Sequence, residues 1–287
     1  YYSGENGAVF STNNHAIGIE SHKVELTING NLTLRDNSTI LGYEENISLG
    51  NLTLESGNIS LYEGTLSLAG GSVGANGLIR AGWQATLNLG GNLDVAGTLY
   101  LDYESSLNLA GNTLDLSGGK IEMRGVQQNL DGITTDNATT LKINQWAHAF
   151  RTDSGTTTVG NLEVAQVHNP DDNSSNNGSH FDVDNMSLNI AGNVQIELGN
   201  ISFENGTLTL QQTVSADNAS MGVKNGELIL QDGLSFSKGN LYLENSVFKP
   251  KGSVLLADSG FGLNNSTVEL QGDTTFSRNG SVGFTVL

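Results

Sequence analysis

A repeat of about twenty residues runs through nearly the whole chain and constrains its fold more than any other feature. The stretch after Trp83 contains "TLNLGGNL", and the stretch after Tyr103, twenty residues later, contains "SLNLAGN". Columns of apolar residues keep this spacing, and from residue 203 to residue 270 the step of twenty has no slip. Internal repeats of this length are typical of solenoids, in which each repeat stacks on its neighbours.

Within each repeat, apolar residues alternate with Asn, Ser or Thr, as in "NLTL", "TLSL" and "TLTL". This is the period of a strand with one buried face, not the 3.6-residue period of a helix. Gly-Asn pairs separate the strands, and both residues accept the positive φ angles of corners. We therefore predict an all-β fold, a right-handed parallel β-helix (β-solenoid) with about 20 residues per rung. The handedness follows the general rule for parallel crossovers.

The repeat predicts a single β-helix domain over residues 1–287. A polar segment without an apolar period interrupts it, so we expect a loop insertion at about residues 168–185. Residues 1–14 and 280–287 contain apolar, strand-like sequence, and we expect them to pair between subunits, because open strand edges invite pairing. A head-to-tail contact of this kind extends into an open filament. The residues predicted to mediate it are Val9, Phe10, Val282, Phe284 and Val286.

The charge balance limits the classes of partner. Twelve Lys and Arg residues stand against 30 Asp and Glu residues, which gives a net charge of -18. Nucleic acids and anionic membrane surfaces attract basic proteins, so we expect neither as a partner. No apolar run reaches the roughly 18 residues of a membrane-spanning helix, and we expect no membrane insertion. The sequence starts at Tyr1 rather than Met, so we expect a processed chain or an excised fragment.

Four aromatic residues stand about twenty positions apart and begin a column that continues with aliphatic residues. A column that exchanges aromatic for aliphatic side chains is more typical of a core than of a surface. We therefore predict an internal column formed by Tyr43, Tyr62, Trp83, Tyr103, Phe203, Val223, Leu243 and Leu263. The alternative is that the aromatic rings form an exposed platform that stacks against sugars.

Acidic residues follow the aromatic ones and recur in the polar insertion. Carboxylates on neighbouring rungs repel each other, and a calcium ion relieves such repulsion because it prefers carboxylate oxygen ligands. The candidate calcium ligands are Asp171, Asp172, Asp182 and Asp184. The simpler interpretation is a solvated acidic face, and the sequence predicts no other cofactor.

A catalytic site has weak support. Polysaccharide lyases and hydrolases with β-helix folds combine Asp with Arg or Lys, because a base must act beside a stabilised anion. One loose cluster contains Arg80, Lys120, Arg124, Lys142, Asp102 and Glu122. The five His residues show no metal-ligand spacing. We expect a protein without enzymatic activity.

Asn-x-Ser/Thr sequons are dense along the chain. Part of this density follows from the strand pattern, because a strand entered through Asn places Thr two residues further on. Glycosylation requires exposed acceptors in a secreted chain. The candidate acceptors are Asn31, Asn51, Asn137, Asn177, Asn205 and Asn279.

The Gly-Asn-Leu-x-Leu strands, the absence of cysteine and the Asn, Ser and Thr ladders resemble the β-helical stalks of large secreted bacterial surface proteins. Autotransporter passengers and filamentous-haemagglutinin-like exoproteins are the closest kind. The resemblance covers most of the chain and is one of architecture and composition. It implies an extracellular or cell-surface location and a role in adhesion, aggregation or biofilm matrix building. Some of those exoproteins are glycosylated on Asn.

We therefore expect a non-enzymatic structural β-solenoid that self-associates head-to-tail into a surface fibre, matrix filament or adhesin stalk. Its predicted partners are further copies of itself and host or matrix glycans. The alternative is a glycan-binding or polysaccharide-cleaving β-helix that uses the loop at 168–185 or the acidic flank. A cleft with converging Asp and Arg side chains would favour this alternative.

Overall fold

The structure is a computed structural model that describes residues 8–11, 16–19, 25–165 and 179–286. All regular secondary structure in these ranges is β-strand, and paired strands of successive turns run parallel. The predicted parallel β-solenoid with about 20 residues per turn is confirmed, with about 12 turns in total among the described residues. In the described part of the chain no helix is long and apolar enough to span a membrane.

The chain divides into two compact units. Unit 1 comprises Tyr1–Gln128 and Gly132–Thr139, and unit 2 comprises Asn129–Asp131 and Thr140–Leu287. Both units are stacked coils of short parallel strands. That residues 1–287 fold as a single domain stays a prediction.

The first thirteen strands lie in unit 1, except that the last residue of β12 belongs to unit 2. Their bounds are β1 Ala8–Ser11, β2 Ala16–Ile19, β3 Glu25–Ile28, β4 Leu32–Arg35, β5 Ser38–Ala81, β6 Thr86–Leu89, β7 Leu93–Val95, β8 Thr98–Asp102, β9 Ser106–Asn108, β10 Leu114–Asp115, β11 Lys120–Arg124, β12 Val126–Asn129 and β13 Ile133–Thr134.

Stacking in unit 1 is parallel but its step varies. Leu32 pairs with Leu52, a step of 20, whereas Leu99 pairs with Ile121, a step of 22. The long strand β5 winds through more than one turn, because it pairs with β2, β3 and β4 on one side and with β6, β7 and β8 on the other. Alternate side chains point inwards, and these inward residues are buried leucines, isoleucines and valines that form the core.

Unit 2 contains the remaining twenty strands of the described part of the chain. Their bounds are β14 Thr140–Asn144, β15 Trp146–Phe150, β16 Thr156–Val159, β17 Asn161–Ala165, β18 His180–Asp184, β19 Ser187–Ile190, β20 Val194–Glu197, β21 Asn200–Glu204, β22 Thr207–Leu210, β23 Val214–Asp217, β24 Ser220–Lys224, β25 Glu227–Leu230, β26 Leu234–Ser237, β27 Asn240–Glu244, β28 Val247–Lys249, β29 Lys251–Ala257, β30 Gly260–Asn264, β31 Thr267–Val268, β32 Gln271–Asn279 and β33 Gly283–Val286.

Three strands make one turn of unit 2, so the coil has three faces. On the face that runs from β18 to β30, Phe181, Ile201, Met221, Leu241 and Phe261 stack in register at steps of twenty. All five side chains are buried. Because the step is constant, each apolar residue lies on the equivalent residue of the next turn, as the unbroken repeat after residue 203 predicts.

Corners between the strands use residues with positive φ. In unit 2 one corner is occupied at successive turns by Asn205, Asn225, Asn245 and Asn265, all with φ between 46° and 56°. Asn tolerates this left-handed conformation better than most residues. The side chains form a ladder, in which Asn265 Nδ2 donates to Asn245 Oδ1 at 2.8 Å and Asn245 Nδ2 donates to Asn225 Oδ1 at 3.4 Å.

The predicted internal column is wrong for its first four members, the aromatic residues of unit 1. Tyr43, Trp83 and Tyr103 are exposed, and Tyr62 is half-buried. The remaining members lie in unit 2, where Phe203, Val223 and Leu243 are buried and Leu263 is half-buried.

A longer turn explains the error. Leu101, not Tyr103, pairs with Met123, and this step spans 22 residues. A count of twenty residues from Tyr103, which is on the surface, therefore reaches Met123, which is in the core. Leu101 and Met123 are both buried. The aliphatic residues that suggested a core column therefore continue from Leu101 and not from Tyr103.

A longer connection lies in unit 2. Trp146 pairs with His180, a step of 34, where the steps that follow are twenty residues. Residues 166–178 lie outside the described residues. The predicted insertion at 168–185 is corrected at its end, because β18 begins at His180 and buries Phe181 and Val183. The apolar alternation resumes at this point.

Candidate functional site

Unit 1 presents a file of aromatic side chains on its surface. Trp83 has 59% of its surface exposed, Tyr43 has 45% and Tyr103 has 36%, while Tyr62 is half-buried. We call these four residues the aromatic flank. Exposed large apolar side chains in a contiguous set mark binding surfaces more often than scattered ones do.

The local backbone explains why these rings point outwards. Each aromatic residue is followed by a residue in the left-handed conformation, with φ of 55° at Glu44, 61° at Glu63, 53° at Gln84 and 57° at Glu104. A single left-handed residue turns the chain at a corner. The alternation of inward and outward side chains is broken there, so the residue before the corner faces solvent.

Glycines on the following turn make room for the rings. A Cβ atom added to Gly82 would lie 2.7 Å from Tyr62 Cδ1, and one added to Gly125 would lie 2.6 Å from Tyr103 Cδ1. Any larger residue would displace the ring. The two tyrosines therefore lie against the backbone of the next turn, which restricts their motion.

The rings form two neighbouring pairs. Tyr43 and Tyr62 are stacked, with 5.3 Å between ring centroids and 12° between ring planes. Trp83 and Tyr103 are 6.4 Å apart and tilted by 45°. Both separations lie within the range of favourable aromatic contacts. The flank is thus a column of aromatic rings on successive turns.

Two arginines brace the aromatic flank. The guanidinium carbon of Arg80 lies 4.9 Å from the ring centre of Tyr62 and 4.9 Å from that of Tyr100. The guanidinium carbon of Arg124 lies 4.7 Å from the ring centre of Tyr103. Cations over ring faces at these distances are attracted by the ring quadrupole.

Asp102 links the two arginines. Its side chain is 5% exposed, and its Oδ2 accepts a hydrogen bond from Arg80 Nη2 at 2.5 Å. Arg124 Nε lies 4.0 Å from its Oδ1. A charge removed from water in this way requires opposite charges nearby, and the arginines provide them. The sequence predicted this cluster only loosely, and Tyr100, its central aromatic residue, was missed.

Tyr100 could have been found from the alternation, because Leu99 and Leu101 on either side of it are buried. Burial raises the pKa of its hydroxyl, and the negative charge of Asp102 raises this pKa further, although Arg124 opposes the shift. The hydroxyl is protonated at neutral pH, as an ordinary tyrosine is, and the raised pKa moves its ionisation further from neutral pH. It can donate a hydrogen bond but is a poor general base.

A pocket of about 460 Å³ adjoins the cluster. Arg80 and Tyr100 form one side of it, Glu122 and Thr98 contribute further polar groups, and residues 75–78 complete the wall. Lys120 Nζ pairs with Glu122 Oε2 at 2.8 Å. The pocket therefore adjoins the aromatic flank through Arg80, which lines the pocket and lies over the ring of Tyr62.

A second column of side chains runs beside the rings. It consists of the corner residues Glu44, Glu63, Gln84 and Glu104, all of which are exposed. Gln84 Nε2 donates to Glu104 Oε2 at 2.8 Å, so neighbouring members contact each other. We call these four residues the acceptor column, because carboxylate and amide oxygens accept hydrogen bonds.

Among the candidate calcium ligands, Asp171 and Asp172 lie outside the described residues. Asp182 and Asp184 lie on β18, where Asp182 Oδ1 contacts His180 Nε2 at 2.7 Å and Asp184 Oδ1 accepts from Asn205 Nδ2 at 3.0 Å. The described ranges contain no group of three potential metal ligands. A calcium site at this position stays a prediction.

The glycosylation candidates differ in their surroundings. Asn31, Asn51, Asn137 and Asn279 are exposed, and Asn177 lies outside the described residues. Asn205 is also exposed, but its Nδ2 donates to Asp184. Because Nδ2 is the atom that carries an N-linked glycan, modification of Asn205 would break this hydrogen bond.

The residues predicted for assembly lie on strands that already pair within the chain on one side. Val9 and Phe10 on β1 pair with Thr33 and Leu34 on β4. At the other end, Phe284 and Val286 on β33 pair with Phe261 and Leu263, and Val282 precedes this strand and is half-buried. Val286 is 77% exposed.

No family model, no curated protein and no solved structure matches this chain.

Proposed function

We propose that the protein is a non-enzymatic structural element of an extracellular fibre, adhesin stalk or biofilm matrix. The observation that carries this proposal is the unbroken stacking of unit 2. From β18 to β30, five residues in each turn pair in register with five in the next, always at steps of twenty. Continuous backbone ladders over a buried apolar core suit a stiff element that resists proteolysis.

An extracellular or cell-surface location completes the proposal. It is supported by the resemblance of the repeat and composition to secreted bacterial stalks. Surface shaving of intact source cells with a protease, followed by peptide identification, tests this location. Recovery of the protein only from the cytosolic fraction would overturn it.

The lack of an enzymatic role is supported by the chemistry of the Arg80 cluster. Asp102 is held by Arg80, and the hydroxyl of Tyr100, whose pKa is raised above its ordinary value, is protonated at neutral pH. Neither group is suited to remove a proton from a substrate at neutral pH. Release of reducing sugars or unsaturated products from a polysaccharide panel by the purified protein would contradict this part of the proposal.

Head-to-tail self-association is the proposed route to a fibre. It is supported by exposed apolar side chains on the last described turn, where Leu270 is 61% exposed and Phe276 is 44% exposed. Parallel pairing of strand edges between copies would cover them. Negative-stain electron microscopy at several protein concentrations, with and without a calcium chelator, tests the idea. Filaments with a repeat of one subunit length are expected, and dispersed short particles under all conditions would exclude them.

A charge placed on the last turn sharpens this test. Phe276→Asp should abolish concentration-dependent sedimentation in the analytical ultracentrifuge. Leu198→Asp is the matched control, since Leu198 is 49% exposed in the same unit but lies on an earlier turn. Equal loss of association in both variants would show that any added charge disperses the protein, and it would count against a specific contact at the last turn.

Glycan binding is the second candidate function. The exposed aromatic flank of unit 1 favours it. Binding and structural roles are compatible, because a rigid coil can display a ligand site along its side.

A further inference from the structure

We propose that the aromatic flank and the acceptor column together form a binding site for a neutral, linear polysaccharide. The flank supplies exposed aromatic surface, above all at Trp83, and the acceptor column supplies hydrogen-bond acceptors directly after each ring in the chain. These are the two kinds of group that a sugar chain needs, because its rings have apolar faces and hydroxyl-bearing edges. The site does not depend on self-association.

Two of the four rings, those of Tyr62 and Tyr103, are held in place before any ligand arrives. Tyr62 lies against Gly82 and Arg80, and Tyr103 lies against Gly125 and Arg124. Side chains that are already immobile lose little conformational entropy on binding. Trp83 is the most exposed member of the flank and offers the largest ring, so it is the principal stacking residue.

The acceptor column determines the polarity of the ligand. Glu63 and Glu104 are exposed carboxylates on turns that also carry Tyr62 and Tyr103. Ionised carboxylates accept hydrogen bonds and donate none, so they match the hydroxyl groups of sugars. A hydrogen bond to a charged acceptor is stronger than one between neutral groups.

The charge of the surface selects neutral chains over acidic ones. Glu44, Glu63 and Glu104 would repel uronate or sulfate groups placed on the rings. The nearby positive charges of Arg80 and Arg124 do not reverse this, because both arginines lie over rings and beside Asp102. Acidic polysaccharides, nucleic acids and anionic lipids are therefore poor ligands for this surface.

The file of rings selects a linear chain over a single sugar. Rings at successive turns contact successive sugar units, and each additional contact raises the apparent affinity without a new kind of interaction. The pocket lined by Arg80 and Tyr100 can receive a branch or a chain end.

Affinity electrophoresis is the first test. The full chain is run in native gels that contain soluble β-glucan, xylan, galactomannan or polygalacturonate. We expect retardation by at least one neutral polysaccharide and none by the acidic polygalacturonate. Retardation by polygalacturonate alone would overturn the proposal in favour of an acidic ligand at the arginines. Free migration in every gel would also overturn it.

Two variants locate the binding surface. Trp83→Ala should weaken binding at least tenfold, and Trp146→Ala is the control, because Trp146 is similarly exposed at 41% but lies in unit 2. Circular dichroism melts check that both variants fold. If Trp83→Ala does not fold, Glu104→Lys serves instead, since it replaces an exposed acceptor by a donor at the cost of only the hydrogen bond from Gln84. Equal binding by Trp83→Ala, Glu104→Lys and the unmodified chain would overturn the assignment.

A fluorescence titration reports the site directly. The chain has two tryptophans, so Trp146→Phe leaves Trp83 as the sole tryptophan. Oligosaccharides cut from the retarding polysaccharide should shift its emission, and the dissociation constant should fall as the oligosaccharide lengthens. An unchanged spectrum would contradict contact at Trp83. Loss of self-association in Trp83→Ala without any glycan effect would identify the flank as a contact between copies and overturn the proposal.

Discussion

Asp102 Oδ2 accepts a hydrogen bond from Arg80 Nη2 at 2.5 Å, although the two residues are 22 positions apart in the chain. Arg80 pairs in register with Tyr100, so Asp102 lies one outward position further along the neighbouring strand. The pair joins successive turns on an outward face and also supports the rings of Tyr62 and Tyr100 through Arg80. An ion pair between turns thus stabilises both the coil and its aromatic surface.

Replacement of Asp102 by Asn should destabilise unit 1 by about 1–3 kcal/mol, because it leaves the positive charge of Arg80 without its buried partner. The measurement is the free energy of unfolding from urea titration. The control is Glu204→Gln, which removes the exposed pair between Glu204 Oε1 and Lys224 Nζ at 3.2 Å. We expect the control to cost less than about 1 kcal/mol. A similar loss of unfolding free energy in both variants would show that burial does not increase the contribution of the Asp102 pair to stability.

Two glycines in unit 2 provide a matched test of how closely the turns approach. A Cβ atom added to Gly239 would lie 1.6 Å from the carbonyl oxygen of Ala219, whereas one added to Gly222 meets nothing within 4 Å. Gly239→Ala should therefore destabilise the protein by about 1–3 kcal/mol or more, because the backbone must move. Gly222→Ala should be neutral or stabilising by up to about 1 kcal/mol. The urea midpoints of unfolding of the two variants are compared with that of the unmodified chain. Equal midpoints for both variants would contradict the close approach of the turns at Gly239.

The Asn ladder makes a separate prediction about backbone and side chain. Asn245 has φ of 49° and accepts a hydrogen bond from Asn265. Asn245→Ala loses the hydrogen bonds and also forces alanine into the left-handed region, which costs roughly 1–2 kcal/mol. Asn245→Gly loses the same hydrogen bonds without that strain. Thermal melts should therefore rank the unmodified chain first, Gly second and Ala third, and a reversal of Gly and Ala would contradict the corner conformation.

Asp136 predicts a pH dependence in unit 1. The hydrogen bond from the Gly118 amide to Asp136 Oδ1 at 3.0 Å is the main cause that lowers the pKa of this carboxyl below its ordinary value of 3.8, and the amide of Ala138 adds to it. Because the pKa is lower in the folded state, the carboxylate stabilises the fold above pH 3.8, and this stabilisation is lost as the pH falls below 3.8.

Asp136→Ala should therefore cost about 1–3 kcal/mol at pH 6, and its difference from the unmodified chain should shrink as the pH falls below 3.8. Urea unfolding at a series of pH values measures this difference. Asp94→Ala is the control, since Asp94 is exposed on the outside of unit 1, two turns away from Asp136. A cost for Asp136→Ala that does not depend on pH would assign the effect to packing and not to the charge.

The fold could be predicted from the sequence because its signal is repeated at every turn. Leu208, Leu228 and Phe248 occupy equivalent positions at steps of twenty, and the pairing of β22, β25 and β28 confirms that spacing. Asn205 and Asn225 mark corners through a residue type that favours positive φ. Where residue type and spacing agree, the sequence is sufficient.

The sequence did not place the aromatic flank on the surface, because residue type and spacing do not agree there. Its corners are formed by Glu63, Gln84 and Glu104, residue types that give no sign of positive φ. The change to a step of 22 between Leu101 and Met123 then moved the predicted column from the surface into the core. The contact of Arg80 with Asp102 likewise depends on the exact register, which spacing near twenty does not determine.

The constant step of twenty in unit 2 has a consequence for how such a gene can change. Asn205, Asn225 and Asn245 mark turns that are interchangeable in backbone and in ladder contacts. Unequal crossing-over between the corresponding stretches of coding sequence would add or remove whole turns and leave every remaining ladder in phase. Recombination can therefore change the number of turns in the coil without requiring a different core.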